Sequence, residues 1–225
     1  MENYVVTIAR AYGSGGCGIG QKLAEELGIR FIDRELLQIA SDESGISSEL
    51  FQKYDENLDS KWYEKSEVES DVVLKPSDRK FTSRNNLYNY QARVIRELAQ
   101  KESFVILGRA ANYILRNNPN ILSVNIQAPL EVCVLETMDR LRYSERDARK
   151  FVLETNGTRA KYYKAISGQN WLDPSCYDLS LNTSRLGKDM CREIIKDSLR
   201  KKLKLDILVD YRITKTFPKK GMRLF

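Results

Sequence analysis

Five glycines and one serine occupy six of the eight positions from 13 to 20, and this composition suits the binding of phosphate. Glycine adopts positive φ angles and allows close approach, so that successive backbone N–H groups can point at one anion. A helix that begins there adds the partial positive charge of its N-terminus. The alternative is a tight turn between a strand and a helix, which needs one or two glycines. The candidate phosphate-binding residues are Gly13, Ser14, Gly15, Gly16, Cys17 and Gly18.

The glycine segment lacks two residues of a complete phosphate-binding loop. In the pattern G-x-x-x-x-G-K-[ST], a lysine binds the β- and γ-phosphates and a hydroxyl binds Mg²⁺. Here Arg10 stands at the first glycine, Gly16 at the lysine, and Cys17 or Gly18 at the hydroxyl residue. Lys22 comes nearly two helical turns later and is expected to point away. A lysine restored at position 16 should therefore raise turnover, unless Arg10 or another arginine already occupies that space.

Charged residues also follow two apolar runs that are typical of buried strands. Arg109 comes after the run at 104–107. Asp33 and Arg34 come after a shorter run at 29–32. Ligands of open parallel sheets bind at the carboxyl ends of the strands, and a guanidinium fork suits a terminal phosphate. Arg109 is therefore a candidate phosphate clamp; a solvated arginine is the alternative, and Asp33 could instead cap a helix.

Strands and helices alternate along the chain, which predicts an α/β fold with a parallel sheet covered on both faces. The sheet would position the charged residues along one edge. The predicted strands cover 4–9, 29–32, 104–107, 121–126 and 177–181. The predicted helices follow the glycines and cover 35–40 and 87–98, then a segment opened by Pro129, one opened by Ser144, and 188–202.

Composition excludes several classes of site. The 225 residues include no histidine, which rules out a histidine base, a Ser-His or Cys-His nucleophile and a histidine-ligated metal. The four cysteines form no Cys-x-x-Cys pair, and we expect no metal site built from side chains. No apolar run approaches a membrane span, and the first residues do not resemble a signal peptide. These features predict a soluble, cytoplasmic protein.

The formal net charge of +6 is unevenly distributed. Residues 196–225 carry ten basic and three acidic residues, and the rest of the chain is almost neutral. Residues 42–78 carry eleven acidic and four basic residues and are expected to form a peripheral insertion or lid. The basic tail is explained by a solvated last helix; nucleic-acid binding is the less favoured alternative, because no nucleic-acid motif accompanies the charge.

Five segments, in this order, resemble the cytidylate kinase-like proteins of bacteria, which are relatives of cytidylate kinase. They read AYGSGGCGIG, FIDRELL, ILGR, TRAKYY and DPSCYDLSLNTSRL. The resemblance implies a three-layer P-loop NTPase fold of the nucleoside monophosphate kinase type, with a parallel sheet, helices on both faces and a helical lid. It divides the chain into a domain at 1–205, with an acidic insertion at about 42–85 and a lid at about 140–168, and a basic tail at 206–225.

The resemblance also implies a reaction and its ligands. ATP would be the phosphoryl donor, Mg²⁺ would be held through the phosphates, and CMP would be the first acceptor to test. The second hypothesis is a nucleotide-binding regulatory protein that has lost turnover, since Gly16 replaces the lysine. The oligomeric state stays open.

Several residues acquire roles from the resemblance. Arg109 matches the acceptor-phosphate clamp, and Asp33 and Arg34 match residues near the acceptor nucleotide. Arg159 is the candidate transition-state arginine and is expected in solvent until a lid closes; the family pattern has an aspartate where this chain has Asn156. Asn182, Thr183 and Arg185 would lie near the adenine or phosphate end of the nucleotide. The alternative is that they form a simple turn after the last strand. The cations of the lid are Arg140, Arg142, Arg146, Arg149, Arg159 and Lys161, several of which would be the solvated face of a helix.

Overall fold

The computed structural model describes residues 3–56 and 72–204. Five strands form one sheet in the order β2-β3-β1-β4-β5, and every neighbouring pair is parallel. The central strand β1 therefore has β3 on one side and β4 on the other, so that its carboxyl end opens between theirs. The strands are β1 (Val5–Arg10), β2 (Arg30–Ile32), β3 (Phe104–Leu107), β4 (Ile121–Gln127) and β5 (Leu179–Asn182).

Helices cover both faces of the sheet, as the sequence predicts. Alternation along β1 places Val5 in one buried apolar cluster and Val6 in the other. The cluster with Val6 includes residues of α1 and α9, and the cluster with Val5 includes residues of α2 to α5 and α7. The helices are α1 (Gly16–Leu27), α2 (Glu35–Ser44), α3 (Ser48–Tyr54), α4 (Arg84–Lys101), α5 (Ala111–Ile114), α6 (Leu130–Leu141), α7 (Glu145–Ser167), α8 (Thr183–Leu186) and α9 (Lys188–Leu203).

The predicted boundaries differ from the observed ones mainly at the ends of elements. The last strand begins at Leu179 rather than at 177, because a 3₁₀ turn at Pro174–Cys176 precedes it and the Tyr177 hydroxyl donates a hydrogen bond to the Trp171 carbonyl. The helix predicted at 35–40 continues to Ser44, and Gly45 ends it with a left-handed φ of 71°. Neither difference moves the carboxyl edge of the sheet.

The first part of the acidic segment packs against the core. The side chain of Phe51, on α3, is fully buried, and Ile46 is also buried. Residues 57–71 lie outside the described residues, and so does the predicted basic tail at 206–225. None of the described helices is long and apolar enough to cross a membrane.

Candidate active site

The glycine segment joins β1 to α1 through a loop that is shorter than the sequence suggests. Gly13 and Gly15 adopt left-handed φ angles of 78° and 82°. Gly16 already begins α1, so Gly16, Cys17 and Gly18 form the first helical turn. The backbone N–H groups of this first turn have no acceptor within the helix, and no side chain caps them. The segment therefore presents a helix N-terminus, rather than a long glycine loop, to an anion.

Neighbouring elements hold the loop in place. A Cβ at Gly13 would lie 2.8 Å from the Cα of Cys133 on α6, and a Cβ at Gly15 would lie 2.7 Å from the Lys188 side chain on α9. The Thr183 hydroxyl donates a buried hydrogen bond of 2.8 Å to the Ser14 carbonyl. Glycine is thus required at position 13 by space as well as by φ, and at position 15 by φ, since the Lys188 side chain can move away.

A cavity of about 640 Å³ opens at the carboxyl edge of the sheet beside this loop. Its walls come from the ends of β1, β2 and β3, the first turn of α1, the residues that follow α3, and helices α6 and α7. It brings together most of the glycine segment and six of the charged residues singled out from the sequence. The lining includes Arg10, Tyr12, Gly13, Gly15, Gly16, Cys17, Gly18, Asp33, Arg34, Asp55, Glu56, Arg109, Arg140 and Arg159.

Arg109 is not a solvated residue at the end of a strand, because only 2% of its side chain is exposed. Its Nε and Nη2 donate to the two carboxylate oxygens of Asp55 at 2.9 and 2.8 Å. Its Nη1 lies 3.3 Å from Oδ1 of Asp33. Burial opposes the charge, but the carboxylates of Asp55 and Glu56 outweigh it and raise the pKa of Arg109. The guanidinium fork is therefore charged, fixed and bound to a carboxylate.

The backbone after β3 is strained. Gly108, Arg109 and Ala110 have left-handed φ angles of 74°, 54° and 52° in succession. For residues with a side chain this conformation costs about 1–2 kcal/mol each. Strain of this kind persists only where the surroundings hold it, and it is common at ligand-binding sites. Here it directs the Arg109 N–H to the Glu56 carboxylate, at 2.7 Å.

Asp33 and Arg34 both line the cavity. The Asp33 side chain pairs with Arg109, whereas the N-cap of α2 is Arg34 and has no side-chain capping bond. The Asp33 carboxylate therefore pairs with Arg109 and does not cap α2.

Arg159 lies in the cavity and not in solvent, so the expectation of an exposed side chain is wrong. Its side chain is 15% exposed, and its Nη1 donates to the Arg10 carbonyl at 3.3 Å. Its Nε lies 3.6 Å from Oε2 of Glu56. Burial, followed by repulsion from Arg10, lowers the pKa of Arg159 to about 10, so the guanidinium stays charged at neutral pH. Helix α7 therefore already delivers this arginine to the site.

Tyr12 links the glycine segment to α6 and α7. Its backbone N–H donates to Oδ1 of Asn156 at 2.8 Å, and its ring packs edge-on against Phe151. The guanidinium of Arg140 lies over the same ring and also contacts the Tyr12 hydroxyl. Asn156, where the family pattern has an aspartate, thus acts here as a hydrogen-bond acceptor for the backbone.

The remaining predicted cations lie outside this arrangement. Arg185 is exposed on α8, away from the residues that line the cavity. Arg146 is 93% exposed, and Arg149 pairs with Glu131 on the surface. Arg142 and Lys161 are exposed too. These side chains are solvated, which is the alternative that the sequence analysis considered for them.

Sequence reasoning missed Asp55 and Glu56 at the centre of the site, and it considered Arg10 only as a residue that could occupy the space of the lysine. Arg10 Nη1 donates to Oε1 of Glu56 at 2.9 Å. Burial would raise the pKa of Glu56, but the guanidiniums of Arg10, Arg159 and Arg109 together lower it from 4.5 to about 2. Only Arg10 carried a signal in the sequence, because it replaces the first glycine of the loop pattern. The two acids stand among eleven in their segment, and nothing local distinguishes them.

The described residues contain no group of three metal-ligating side chains. The carboxylates of Asp33, Asp55 and Glu56 are all paired with arginines. Gly18 supplies no hydroxyl at the position where a complete loop binds Mg²⁺. The side chains of the described residues therefore offer no ready ligand set for a resident metal ion.

Comparisons with known proteins identify a matching family and similar chains. The model of the cytidylate kinase-like family matches residues 5–185. The cytidylate kinase of Methanopyrus kandleri is 26% identical over 204 residues, which cover 87% of this chain and 92% of that protein. The cytidylate kinase of Pyrococcus horikoshii is 26% identical over 200 residues, which cover 88% and 89%.

A solved structure shares the fold. The crystal structure of an uncharacterized protein from Eubacterium ventriosum superposes with a TM-score of 0.66 at 24% identity, over 88% of this chain and 98% of that one. Together with the parallel sheet and the helices on both faces, the match to the family confirms the predicted fold of the nucleoside monophosphate kinase type.

Proposed function

The chain belongs to the cytidylate kinase-like family, and from this premise we propose that it transfers the γ-phosphoryl group of ATP to a nucleoside monophosphate or a similar small acceptor. CMP is the first acceptor to test, since the curated relatives are cytidylate kinases. One observation carries the proposal. A single cavity has an uncapped helix N-terminus on one wall and the buried guanidinium fork of Arg109 on another.

The two walls suit two different phosphates. The backbone N–H groups of Gly16, Cys17 and Gly18 are the donors for the phosphates of ATP, because they point out of a helix start and have no partner within the helix. The fork of Arg109 matches the terminal phosphate of the acceptor, which would replace the carboxylate of Asp55. Asp33 and Arg34, on the same wall, are placed to contact the acceptor nucleotide.

Phosphoryl transfer between these sites needs positioning and positive charge more than covalent help from the protein. An oxygen of the acceptor phosphate forms a bond to the γ-phosphorus. The bond from that phosphorus to the β–γ bridging oxygen breaks, and its electron pair leaves with ADP. Arg159 is the residue for the charge on the transferring group, because its guanidinium reaches the space between the glycine loop and Arg109. Mg²⁺ enters as part of the MgATP substrate.

A second function, nucleotide binding without turnover, is favoured by Gly16. The loop lacks its lysine, and the loss of one charge contact to a transition state costs about 100- to 1,000-fold in rate. A regulatory protein would keep the affinity for nucleotide and lose the reaction.

A coupled assay of ADP formation with each nucleoside monophosphate tests the first function. We expect activity with at least one acceptor, and a loss of activity in Arg109→Met but not in the exposed Arg116→Met. Calorimetry with ATP is run on the same samples. Binding of ATP without ADP formation for any acceptor would support the regulatory function instead, and the absence of both would overturn the two together.

A further inference from the structure

The carboxylate of Glu56 contacts N–H groups from three separate parts of the chain. Its Oε1 accepts from Arg10 Nη1 at 2.9 Å and from the Arg109 N–H at 2.7 Å. Its Oε2 lies 3.1 Å from Arg10 Nη1 and 3.6 Å from Arg159 Nε. These donors come from the end of β1, the residues after β3, and α7. The carboxylate therefore lies between the glycine loop and the acceptor side of the cavity.

The same donors suit a phosphoryl group. Guanidiniums and backbone N–H groups bind carboxylate and phosphate oxygens alike. A Cβ at Gly108 would collide with the Glu56 carboxylate and with the Arg10 guanidinium. The left-handed backbone of Gly108 and Arg109 turns the N–H of Arg109 toward the anion. The backbone is thus shaped to admit an anion at this point.

Arg10 also occupies the space that a lysine in the loop would need. The Cβ position of Gly16 lies 2.6 Å from the Arg10 Cβ, closer than two such atoms can approach. The Arg10 side chain is only 10% exposed and extends from there to Glu56. Any side chain at position 16 therefore collides with the Cβ of Arg10 unless the backbone shifts, whichever conformation the rest of Arg10 adopts.

The charges require an anion between the arginines. Arg10 and Arg159 are close enough that Arg10 lowers the pKa of Arg159, after burial, and both pair with the one carboxylate. If Glu56 left without replacement, buried guanidiniums would face each other unpaired, which is costly. An incoming phosphate can replace the carboxylate without that cost.

On the basis of the proposed kinase function, we infer that Arg10, the backbone N–H of Arg109 and Arg159 form the subsite of the phosphoryl group in transfer, and that Glu56 occupies this subsite in the unliganded protein. Arg10 there supplies the positive charge that the lysine supplies in a complete loop. Because Glu56 must leave before the γ-phosphate enters, its carboxylate competes with ATP for the same donors.

The test is calorimetry of a non-hydrolysable ATP analogue, with Mg²⁺, on the full chain. Glu56→Gln should bind the analogue about tenfold more tightly, because a neutral amide competes less for the arginines. The matched control Glu49→Gln removes an exposed charge from α3, the helix that precedes Glu56, and should bind like the wild type. Arg10→Met should bind at least about tenfold more weakly, and adding Glu56→Gln to it should restore little, since both changes act at one place.

Two results would overturn the inference. One is a folded Glu56→Gln that binds the analogue no more tightly than Glu49→Gln. The other is a folded Arg10→Met with the affinity of the wild type. If a variant does not fold, the wild type decides: the side-chain N–H signals of Arg10 and Arg159 in ¹⁵N NMR should shift when the analogue is added, and unchanged signals contradict the inference.

The proposed function is tested in separate assays of the same variants, with ATP and a nucleoside monophosphate in place of the analogue. Tighter binding by Glu56→Gln without any ADP formation would refute the kinase and keep the phosphate subsite. ADP formation by the wild type, with no change of affinity in Glu56→Gln, would refute the subsite and keep the kinase.

Discussion

The Cβ position of Gly16 lies 2.6 Å from the Cβ of Arg10. Gly16 stands at the lysine position of a complete phosphate-binding loop, and Arg10 stands at the position of its first glycine, so these two positions are in direct contact. The two departures from the usual loop pattern are therefore physically coupled. A side chain at position 16 requires Arg10 to move, and Arg10 in turn holds Glu56.

Gly16→Lys should consequently fail to raise turnover. The new side chain overpacks the space beside Arg10 and Ile126, and we expect the free energy of unfolding to fall by about 1–3 kcal/mol. Gly157→Lys is the matched control, because a Cβ there meets nothing within 4 Å and Gly157 is not among the residues that line the cavity. Thermal unfolding and the coupled assay check both variants; a Gly16→Lys enzyme that is as stable as the wild type and faster would show that the lysine can be restored.

Arg109→Lys should lower kcat/KM by about 100-fold, because a lysine keeps the charge but cannot form the two parallel hydrogen bonds of the fork. Arg116→Lys changes an exposed arginine and should leave kcat/KM unchanged. Steady-state kinetics with varied acceptor measures the effect. Circular dichroism establishes that the variant is folded, and a folded Arg109→Lys with wild-type kcat/KM would remove Arg109 from the acceptor site.

Arg159→Met should lower kcat by about 100- to 1,000-fold with a smaller change in the acceptor KM, because the proposed contact is made with charge that develops in the transition state. Arg146→Met, on the same helix, changes a side chain that is 93% exposed and should have little effect. Equal effects of the two variants on kcat would argue that α7 contributes only general positive charge.

Stability should fall in acid partly through Glu56. Its pKa is lowered from 4.5 to about 2 in the folded protein, so the carboxylate stabilises the fold fully above about pH 4.5 and loses this contribution as the pH falls toward 2. The shift corresponds to roughly 3 kcal/mol. Urea unfolding of wild type and Glu56→Gln between pH 2 and 6 isolates the effect, since other carboxylates titrate in both. Parallel stability curves in this window would contradict the lowered pKa.

The fold and the position of the glycine segment could be predicted from the amino-acid sequence. Short apolar runs predicted the strands, and each predicted strand end lies within two residues of the observed end for β1 to β5. The local pattern sufficed because a parallel sheet buries whole strands, and a glycine cluster between a strand and a helix has few other uses. Arg109 was found in the same way, from its position immediately after a strand.

The carboxylates that neutralise these arginines could be identified only from the folded chain. Glu56 meets Arg10 across 46 positions, and Asp55 meets Arg109 across 54. The path of the chain after α3 brings these two acids into the cavity, and their neighbours in an acidic stretch look the same in sequence. The burial of Arg159 likewise depends on the packing of α7 against the sheet edge, and the contact between Gly16 and Arg10 depends on how α1 packs against the end of β1. Such contacts leave no periodic trace, because they are made by single side chains at the edge where several elements end.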